Sequence, residues 1–526
     1  MPAKITPGHI ILCGFMGAGK SSLGPRLARV LDLPFMDTDS ELERAHALTV
    51  SDMFRLHGEQ WFRDQECQLL ARALPGGRRM VMALGGGALL TKQNRELARR
   101  HGILVWLHAP VSLLWQRSRG TRPLATEQNA FSQRYAERLP AYQSVCDLVV
   151  QTDSAPGPLL AGLRAALKQP VYGFYFNHGA CGAQRFLLTS RFSPSLAAPQ
   201  PARCLFVIDA RVFALHKRTL LPCIQDRPVL QLHCREAGKG LTTVREIYAF
   251  LHKHRACRRT EGVAVGGGVL QDMALYAFAT YNRGIPASLV PTTLIAQIDA
   301  SIGGKCGVNA YNVKNLVGTF YLPRRVYAAT DFLATLPDKE VRSGLAELLK
   351  YALLQGWDNF AALKPVVEDA LAPGDRPFPT PGLRPFLLSA IHYKLSLTHQ
   401  DFKEQNMRRL LNLGHTLAHA LETLSEHRLN HGQAVALGLI YSAHIAHTQG
   451  HLSTRYLHAL SSLCRLLLDR IPSLPSFKEV HQAMGYDKKR NLGRLPLVLP
   501  SDTLPRIQVV EEGLMRESYA HFLDLP

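Results

Sequence analysis

The chain has 526 residues, 46% hydrophobic and 19% charged, with a formal net charge of +20. That length predicts about three folding units, at roughly 100 to 200 residues each, and excludes a lone small binding module. The composition excludes a disordered chain, while the positive balance favours anionic partners: nucleic acid, an anionic membrane surface, or substrates carrying phosphates and carboxylates.

Position decides among these, and the basic residues are scattered. The densest cluster, Lys253, Arg255, Arg258 and Arg259, falls where a helix is expected to end and reads as a solvated face, so no nucleic-acid partner is expected. The ten cysteines stand singly with no CxxC pair, which argues against a disulfide framework or a cysteine zinc site and for a reducing cytoplasm. No apolar run reaches about 18 residues, and the first residues lack a signal-peptide pattern, so neither export nor a membrane is expected.

Along residues 1–168, short apolar runs (HIILCGF, RRMVMALGG, GILVWLH, CDLVVQT) alternate with helical periodicity, the pattern of a parallel sheet with helices on both faces. Residues 169–200 loosen into a junction, with YGFYFNHG as a candidate early strand of the second half. A second α/β part, 201–290, opens with ARCLFVIDARVF and passes through TEGVAVGGGVL, which fits a nucleotide-binding subdomain. From 291 to 526, long helical patterns such as VRSGLAELLKYALLQ, LLNLGHTLAHALETLSEH and GQAVALGLIYSAHIAHTQG predict a mainly helical part.

Residues 14–21, GFMGAGKS, match the GxxxxGK[ST] phosphate loop in its proper place after a strand and before a helix. Gly14, Gly17 and Gly19 let the backbone curl so that N–H groups face nucleotide phosphates; Lys20 neutralises their charge and Ser21 holds Mg²⁺. The expected ATP contacts are these residues with Ala18 and Ser22. Asp37 and Asp39 fall at the carboxyl end of the next strand, where parallel sheets bind ligands, one to serve the metal and one a hydroxyl.

Together GFMGAGKS, DTD, GEQWFR, LGGGA, RPL and RLPAY resemble shikimate kinase across residues 8–168. The resemblance implies that Asp37 joins Ser21 on Mg²⁺ and that Asp39 binds and orients the shikimate hydroxyls. It further implies that Arg63 and Arg138 grip the shikimate carboxylate beside Gly85, Gly86 and Gly87. Arg122 matches a lid arginine that closes over the transferring phosphoryl group, and Arg117 is expected to touch the nucleotide. An isolated arginine is ordinarily a surface residue; the whole pattern singles these out.

In the second half Gly266, Gly267 and Gly268 directly follow a strand, a setting that suits either a pyrophosphate or a plain tight turn. Asp299, Lys305, Asn309, Lys314 and Asn315 crowd polar chemistry between apolar runs. His415 and His419 lie four residues apart on one helical face, with His431 after the following turn and Glu347 on an earlier helix. Two histidines and one carboxylate with an open position make a catalytic zinc set, whereas any one of them alone reads as a hydrogen-bonded core residue.

EGVAVGGGVLQD, VPTTLIAQIDASIGGKCGVN, KNLVGTFYLP, GLAELLK, RRLLNLGHTLAHALE and NHGQAVALG resemble 3-dehydroquinate synthase over residues 203–500. The resemblance implies NAD⁺ at Asp209, Glu236, Lys239, Gly266, Gly267, Gly268, Asp272, Thr292, Thr293, Lys305 and Lys314. It implies Zn²⁺ or Co²⁺ on Glu347, His415 and His431. The sugar acid phosphate DAHP is expected at Arg283, Asp299, Lys305, Asn315, Lys350, Lys394, Arg408, Asn412, His419 and Lys488. Catalytic roles are expected of Lys20, Asp39 and Arg122 in the first half, and of Lys305, Lys350, Lys394, Arg408 and His419 in the second.

The expected fold is thus an α/β P-loop kinase domain fused to a two-part unit, an α/β nucleotide-binding subdomain plus a mainly helical metal-binding one. The expected activities are phosphorylation of shikimate with ATP and Mg²⁺ and closure of DAHP to 3-dehydroquinate, with a homodimer through the synthase half. The alternatives are another sugar phosphate cyclase in the second half, or one half surviving as a non-catalytic scaffold. Gln271, Leu275, Cys306 and Gln433 depart from the family pattern; Leu275 is expected to crowd the close packing near the cofactor and Gln433 to weaken support of a metal ligand.

Overall fold

The computed structural model describes residues 8–75, 78–119, 127–146, 148–152, 160, 172–177, 183–189, 192, 204–311, 313–372, 378–425, 428–468, 473–487 and 494–524. Arg122 and Lys488 lie outside these described residues. The chain divides into two compact units, Met1–Leu188 and Thr189–Pro526.

The first unit contains β1 (His9–Cys13), α1 (Lys20–Leu31), β2 (Phe35–Asp37), α2 (Thr38–His46), α3 (Val50–Ala73) and β3 (Val81–Ala83). It continues with α4 (Lys92–His101), β4 (Gly102–His108), α5 (Val111–Ser118), α6 (Gln128–Val145), β5 (Leu148–Gln151), β6 (Tyr172–Asn177) and β7 (Ala183–Thr189). Its strands run in the order β2-β3-β1-β4-β5-β6-β7, parallel except for the last pair. All five β1 residues are buried, as expected of a strand covered on both faces. The stretch YGFYFN is a strand, but it lies beside β5 in the first unit rather than opening the second.

The second unit contains β8 (Cys204–Asp209), α7 (Ala210–Ile224), β9 (Val229–Leu232), α8 (Leu241–Lys253), β10 (Glu261–Gly266), α9 (Gly268–Thr280) and β11 (Ala287–Pro291). There follow β12 (Lys305–Ala310), β13 (Val313–Phe320), β14 (Arg325–Ala329), α10 (Asp338–Leu354), α11 (Trp357–Leu371), α12 (Arg384–Gln400), α13 (His415–Leu424) and α14 (His431–Thr448). The unit ends with α15 (Thr454–Leu466), α16 (Phe477–Asp487), β15 (Arg494–Leu499), β16 (Arg506–Glu511) and α17 (Glu512–His521).

Here the parallel order is β14-β11-β10-β8-β9. The portion after residue 291 is therefore less purely helical than its sequence suggests. β14 returns to the sheet, and β12–β13 and β15–β16 form antiparallel hairpins. Short strands such as RVYAA carry too few residues for their period to stand out. The run LLNLGHTLAHALE is also not one helix: Gly414 at φ 75 closes a 3₁₀ turn over Met407–Asn412, and α13 starts afresh at His415. No helix among the described residues is long and apolar enough to cross a membrane.

Candidate active sites

In the first unit the loop after β1 takes left-handed backbone at Gly17 and Gly19 (φ 79 and 89), which a side chain would resist, and α1 begins at Lys20. Lys20 Nζ lies 2.7 Å from the Gly14 carbonyl and 3.2 Å from that of Phe15. Ser21 Oγ donates to Asp37 Oδ2 at 2.8 Å, so the two expected Mg²⁺ ligands are adjacent. Asp37 also caps α2, accepting from the Asp39 N–H at 3.1 Å, which places Asp39 in the first helical turn. Arg117 packs beside Gly17 and donates to the Thr152 carbonyl at 2.9 Å.

The glycine run gathers the remaining candidates. A Cβ on Gly85 would come within 2.5 Å of Asp39 Oδ1 and of Glu66 Oε1, and one on Gly87 within 2.3 Å of Arg63 Nη2. Arg138 Nη1 donates to the Gly86 carbonyl at 3.0 Å, and Tyr142 reaches the same oxygen. Asp39, Arg63 and Arg138 thus gather around the three glycines. α3 bends at Gly58 (φ 84), five residues before Arg63. Burial raises the Glu66 carboxyl to about 7, against the opposing pull of Arg63, whose Nη1 donates to it at 2.8 Å. Glu66 escapes sequence reading, its only hint being the i,i+3 spacing from Arg63, while Tyr142 closes the RLPAY motif without a role having been expected of it.

In the second unit, α10, α13 and α14 bring three ligand atoms of Glu347, His415 and His431 within 4.8 Å of one another. Glu347 Oε1 lies 3.1 Å from His415 Nε2 and 2.9 Å from His431 Nε2. Burial lowers His415 to about 4, helped by the nearby Lys350 cation. Burial alone would lower His431 too, but hydrogen bonds to Glu347 and Glu422 raise it to about 10. Two imidazoles and one carboxylate converging on one point, with Glu347 buried and His431 partly exposed, fit a cation such as zinc.

Both histidines stand at helix starts. His415 follows left-handed Gly414, and His431 opens α14 behind an Asn430/Gln433 capping box. Gln433 accepts from the Asn430 N–H at 3.2 Å while Asn430 Oδ1 accepts from the Gln433 N–H at 2.9 Å. Glutamine fills that role as well as glutamate, so the departure at Gln433 supports the ligand helix instead of loosening it. α13 and α14 touch backbone to backbone: a Cβ on Gly438 would meet the Gly414 carbonyl oxygen at 1.9 Å.

Beside this set lies a cavity of about 1170 Å³, large enough for a dinucleotide. Its walls include Asp209, Glu236, Lys239, Gly267, Gly268, Asp272, Thr292, Thr293 and Lys314, together with Asn315, His419 and His431. Gly266 and Lys305 do not line it, nor does Leu275, which is buried on α9. Lys239 Nζ bridges Asp272 and Asn315, each at 2.6 Å. Gln271 donates to the Gly266 carbonyl at 3.2 Å, and the Cys306 thiol is buried against the Thr319 carbonyl.

The expected anion-binding residues form a third cluster. The π-helical turn Ala296–Ala300 presents Asp299, whose carboxylate is contacted by the buried Lys350 (3.4 Å), by Lys394 and by the Tyr351 hydroxyl (2.6 Å). Burial would raise Asp299, but the two lysines hold it well below the usual carboxylate range. Arg408 is buried with Nη1 on the Gly303 and Phe402 carbonyls at 3.2 and 2.6 Å. Glu404 pairs with Lys305 and accepts from Asn412 Nδ2 at 3.2 Å. Arg283 stands apart: it is exposed in the turn after α9 and makes no hydrogen bond or ion pair to this cluster among the described residues. Tyr351, Glu404 and Glu422 are residues that sequence reasoning did not single out.

The first site has the parts of a nucleotide-dependent kinase for a small hydroxylated acid, and the second those of a metal-dependent enzyme for anionic substrates with dinucleotide-sized space beside it. Residues 16–165 match the shikimate kinase family model, and residues 229–343 and 344–490 match the N-terminal and C-terminal parts of 3-dehydroquinate synthase. The 3-dehydroquinate synthase of Pyrococcus furiosus is 38% identical over 285 residues, 54% of this chain and 81% of that protein. That of Halorhodospira halophila is 38% identical over 300 residues, 56% of this chain and 83% of that protein. Among solved structures, 2-epi-5-epi-valiolone synthase from Streptomyces hygroscopicus, with NAD⁺ and Zn²⁺ bound, is 28% identical with a TM-score of 0.57, covering 65% of this chain and 97% of that one. The chain belongs to the 3-dehydroquinate synthase family and carries a shikimate kinase domain ahead of it.

Proposed function

We infer that the chain is a bifunctional shikimate-pathway enzyme. One activity transfers the γ-phosphoryl group of ATP to shikimate, giving shikimate 3-phosphate; the other closes DAHP to 3-dehydroquinate with release of phosphate. We assign residues 1–168 to the kinase, 169–200 to the junction, 201–290 to the dinucleotide-binding part and 291–526 to the metal and substrate part. A cytoplasmic setting and a homodimer through the synthase half complete the reading.

In the kinase, phosphoryl transfer calls for alignment and charge neutralisation more than covalent help. Arg63 and Arg138 would hold the shikimate carboxylate, Asp39 would orient and deprotonate the attacking hydroxyl, and Lys20 and Arg122 would neutralise charge on the moving phosphoryl group. Ser21 and Asp37, 2.8 Å apart, suit Mg²⁺.

The observation that carries the synthase reading is the convergence of Glu347, His415 and His431 beside a chamber walled by Asp209, Gly267, Asp272 and Thr293. When bound, the metal would acidify a coordinated hydroxyl and polarise a ketone, and NAD⁺ would accept and return a hydride. Lys350, Lys394 and Arg408 would hold the phosphate and carboxylate of DAHP, with Asp299 keeping both lysines aligned until substrate arrives. His419 lies in the chamber wall, its ring 5.5 Å from that of His415, where it can move a proton.

Other sugar phosphate cyclases share the fold, but identity is 38% to 3-dehydroquinate synthases against 28% to the valiolone synthase. Product analysis with DAHP, NAD⁺ and Zn²⁺ tests the reading: 3-dehydroquinate and phosphate should appear in equal amounts. No product from DAHP alongside turnover of another sugar phosphate would overturn it.

A further inference from the structure

Resting on that reading of the second unit, we propose that Glu422 is a positioning residue that couples the dinucleotide-lining hairpin to the metal ligand His431. Glu422 lies on α13, seven residues after His415, and is buried to 4% exposure. Its Oε1 sits 3.1 Å from Lys314 Nζ on β13 and 3.5 Å from His431 Nδ1. The opposite ring nitrogen, Nε2, faces Glu347.

An imidazole that ligates through Nε2 carries its proton on Nδ1, and the acceptor of that proton fixes both tautomer and ring orientation. Glu422 is the carboxylate placed to accept it. A buried carboxylate in turn needs a compensating cation, and Lys314 supplies one. Lys314 lines the chamber, and its neighbour Asn315 is tied through Lys239 to Asp272. A continuous polar chain therefore runs from Asp272 through Lys239, the hairpin and Glu422 to His431. A dinucleotide that orders the hairpin orders Glu422 and with it His431, and by linkage the metal favours the dinucleotide equally.

The test uses the full chain stripped of metal. Zn²⁺ affinity is measured by competition with a chromogenic chelator, with and without NAD⁺, and NAD⁺ affinity by equilibrium dialysis, with and without Zn²⁺. Each ligand should tighten the other by the same factor, roughly 5- to 150-fold. Glu422→Gln, which keeps shape and removes charge, should weaken Zn²⁺ about 10- to 100-fold and abolish most of the coupling. Lys314→Met should also lose coupling, and the double variant should lose no more than Glu422→Gln alone. Glu422→Asp, with circular dichroism to check the fold, should recover part of both.

Full coupling in Glu422→Gln, with or without weaker zinc, overturns the proposal, as do strictly additive losses. Independent binding of Zn²⁺ and NAD⁺ by the unaltered chain overturns the coupling while leaving the two-cofactor reading intact. Binding of neither overturns both.

Discussion

At Gly87 a single hydrogen atom decides where Arg63 can lie. A Cβ there would sit 2.3 to 2.6 Å from three guanidinium atoms, far inside contact distance. Gly87→Ala should therefore displace Arg63 and cost a charge-assisted hydrogen bond, about 1.5 to 3 kcal/mol. That corresponds to roughly a 10- to 150-fold rise in KM for shikimate, with KM for ATP unchanged, readable in initial-rate kinetics. Glu66 beside it gives a pH signature. Its carboxyl is raised to about 7 from an ordinary 4.5, chiefly by burial, and Oε1 has no hydrogen-bond partner among the described residues. The folded state thus holds this proton more tightly than the unfolded chain. The associated stability is complete below pH 4.5 and disappears as pH rises through 7, a span of roughly 3 kcal/mol. Glu66→Gln should flatten the decline of the first unit's thermal midpoint between pH 5 and 8, as followed by calorimetry.

At the level of elements, the metal ligands owe their positions to helix starts. The capping box at Asn430 holds the first turn of α14, so Asn430→Ala should cost about 1 kcal/mol and lower the second unit's midpoint by roughly 2 to 4 °C. Gln433→Glu should leave it unchanged. Gly438→Ala should be far more damaging, because its methyl would strike the Gly414 carbonyl and drive apart the helices that carry His415 and His431. A loss of at least 2 kcal/mol with weakened zinc binding is the expected result, measured by denaturant unfolding and chelator competition. Conversely, a well-folded Gly438→Ala chain with full metal affinity would refute the close packing of α13 on α14.

For the molecule as a whole, two compact units imply two separable chemistries. Lys20→Ala should abolish shikimate phosphorylation and spare cyclisation of DAHP, and His415→Ala should do the reverse. Chelation should silence only the cyclase once Mg²⁺ is restored, with Zn²⁺ or Co²⁺ recovering it. Loss of both activities in either variant would contradict this independence.

Much of this arrangement is legible in the sequence, because phosphate loops and glycine turns encode their geometry within a few residues. GFMGAGKS and DTD fall where expected for that reason, and the Glu347, His415 and His431 set emerges from motif order. Glu66, Tyr351, Glu404 and Glu422 do not, since their partners approach through tertiary packing and an isolated acid or tyrosine carries no periodic signal. The strand RVYAA and the break at Gly414 are hidden by neighbouring apolar runs.

The meeting of Gly414 with Gly438 has one more consequence. Where two main chains abut, no side chain stands between them to be trimmed or enlarged, so the gap between the paired imidazoles cannot be retuned by gradual repacking.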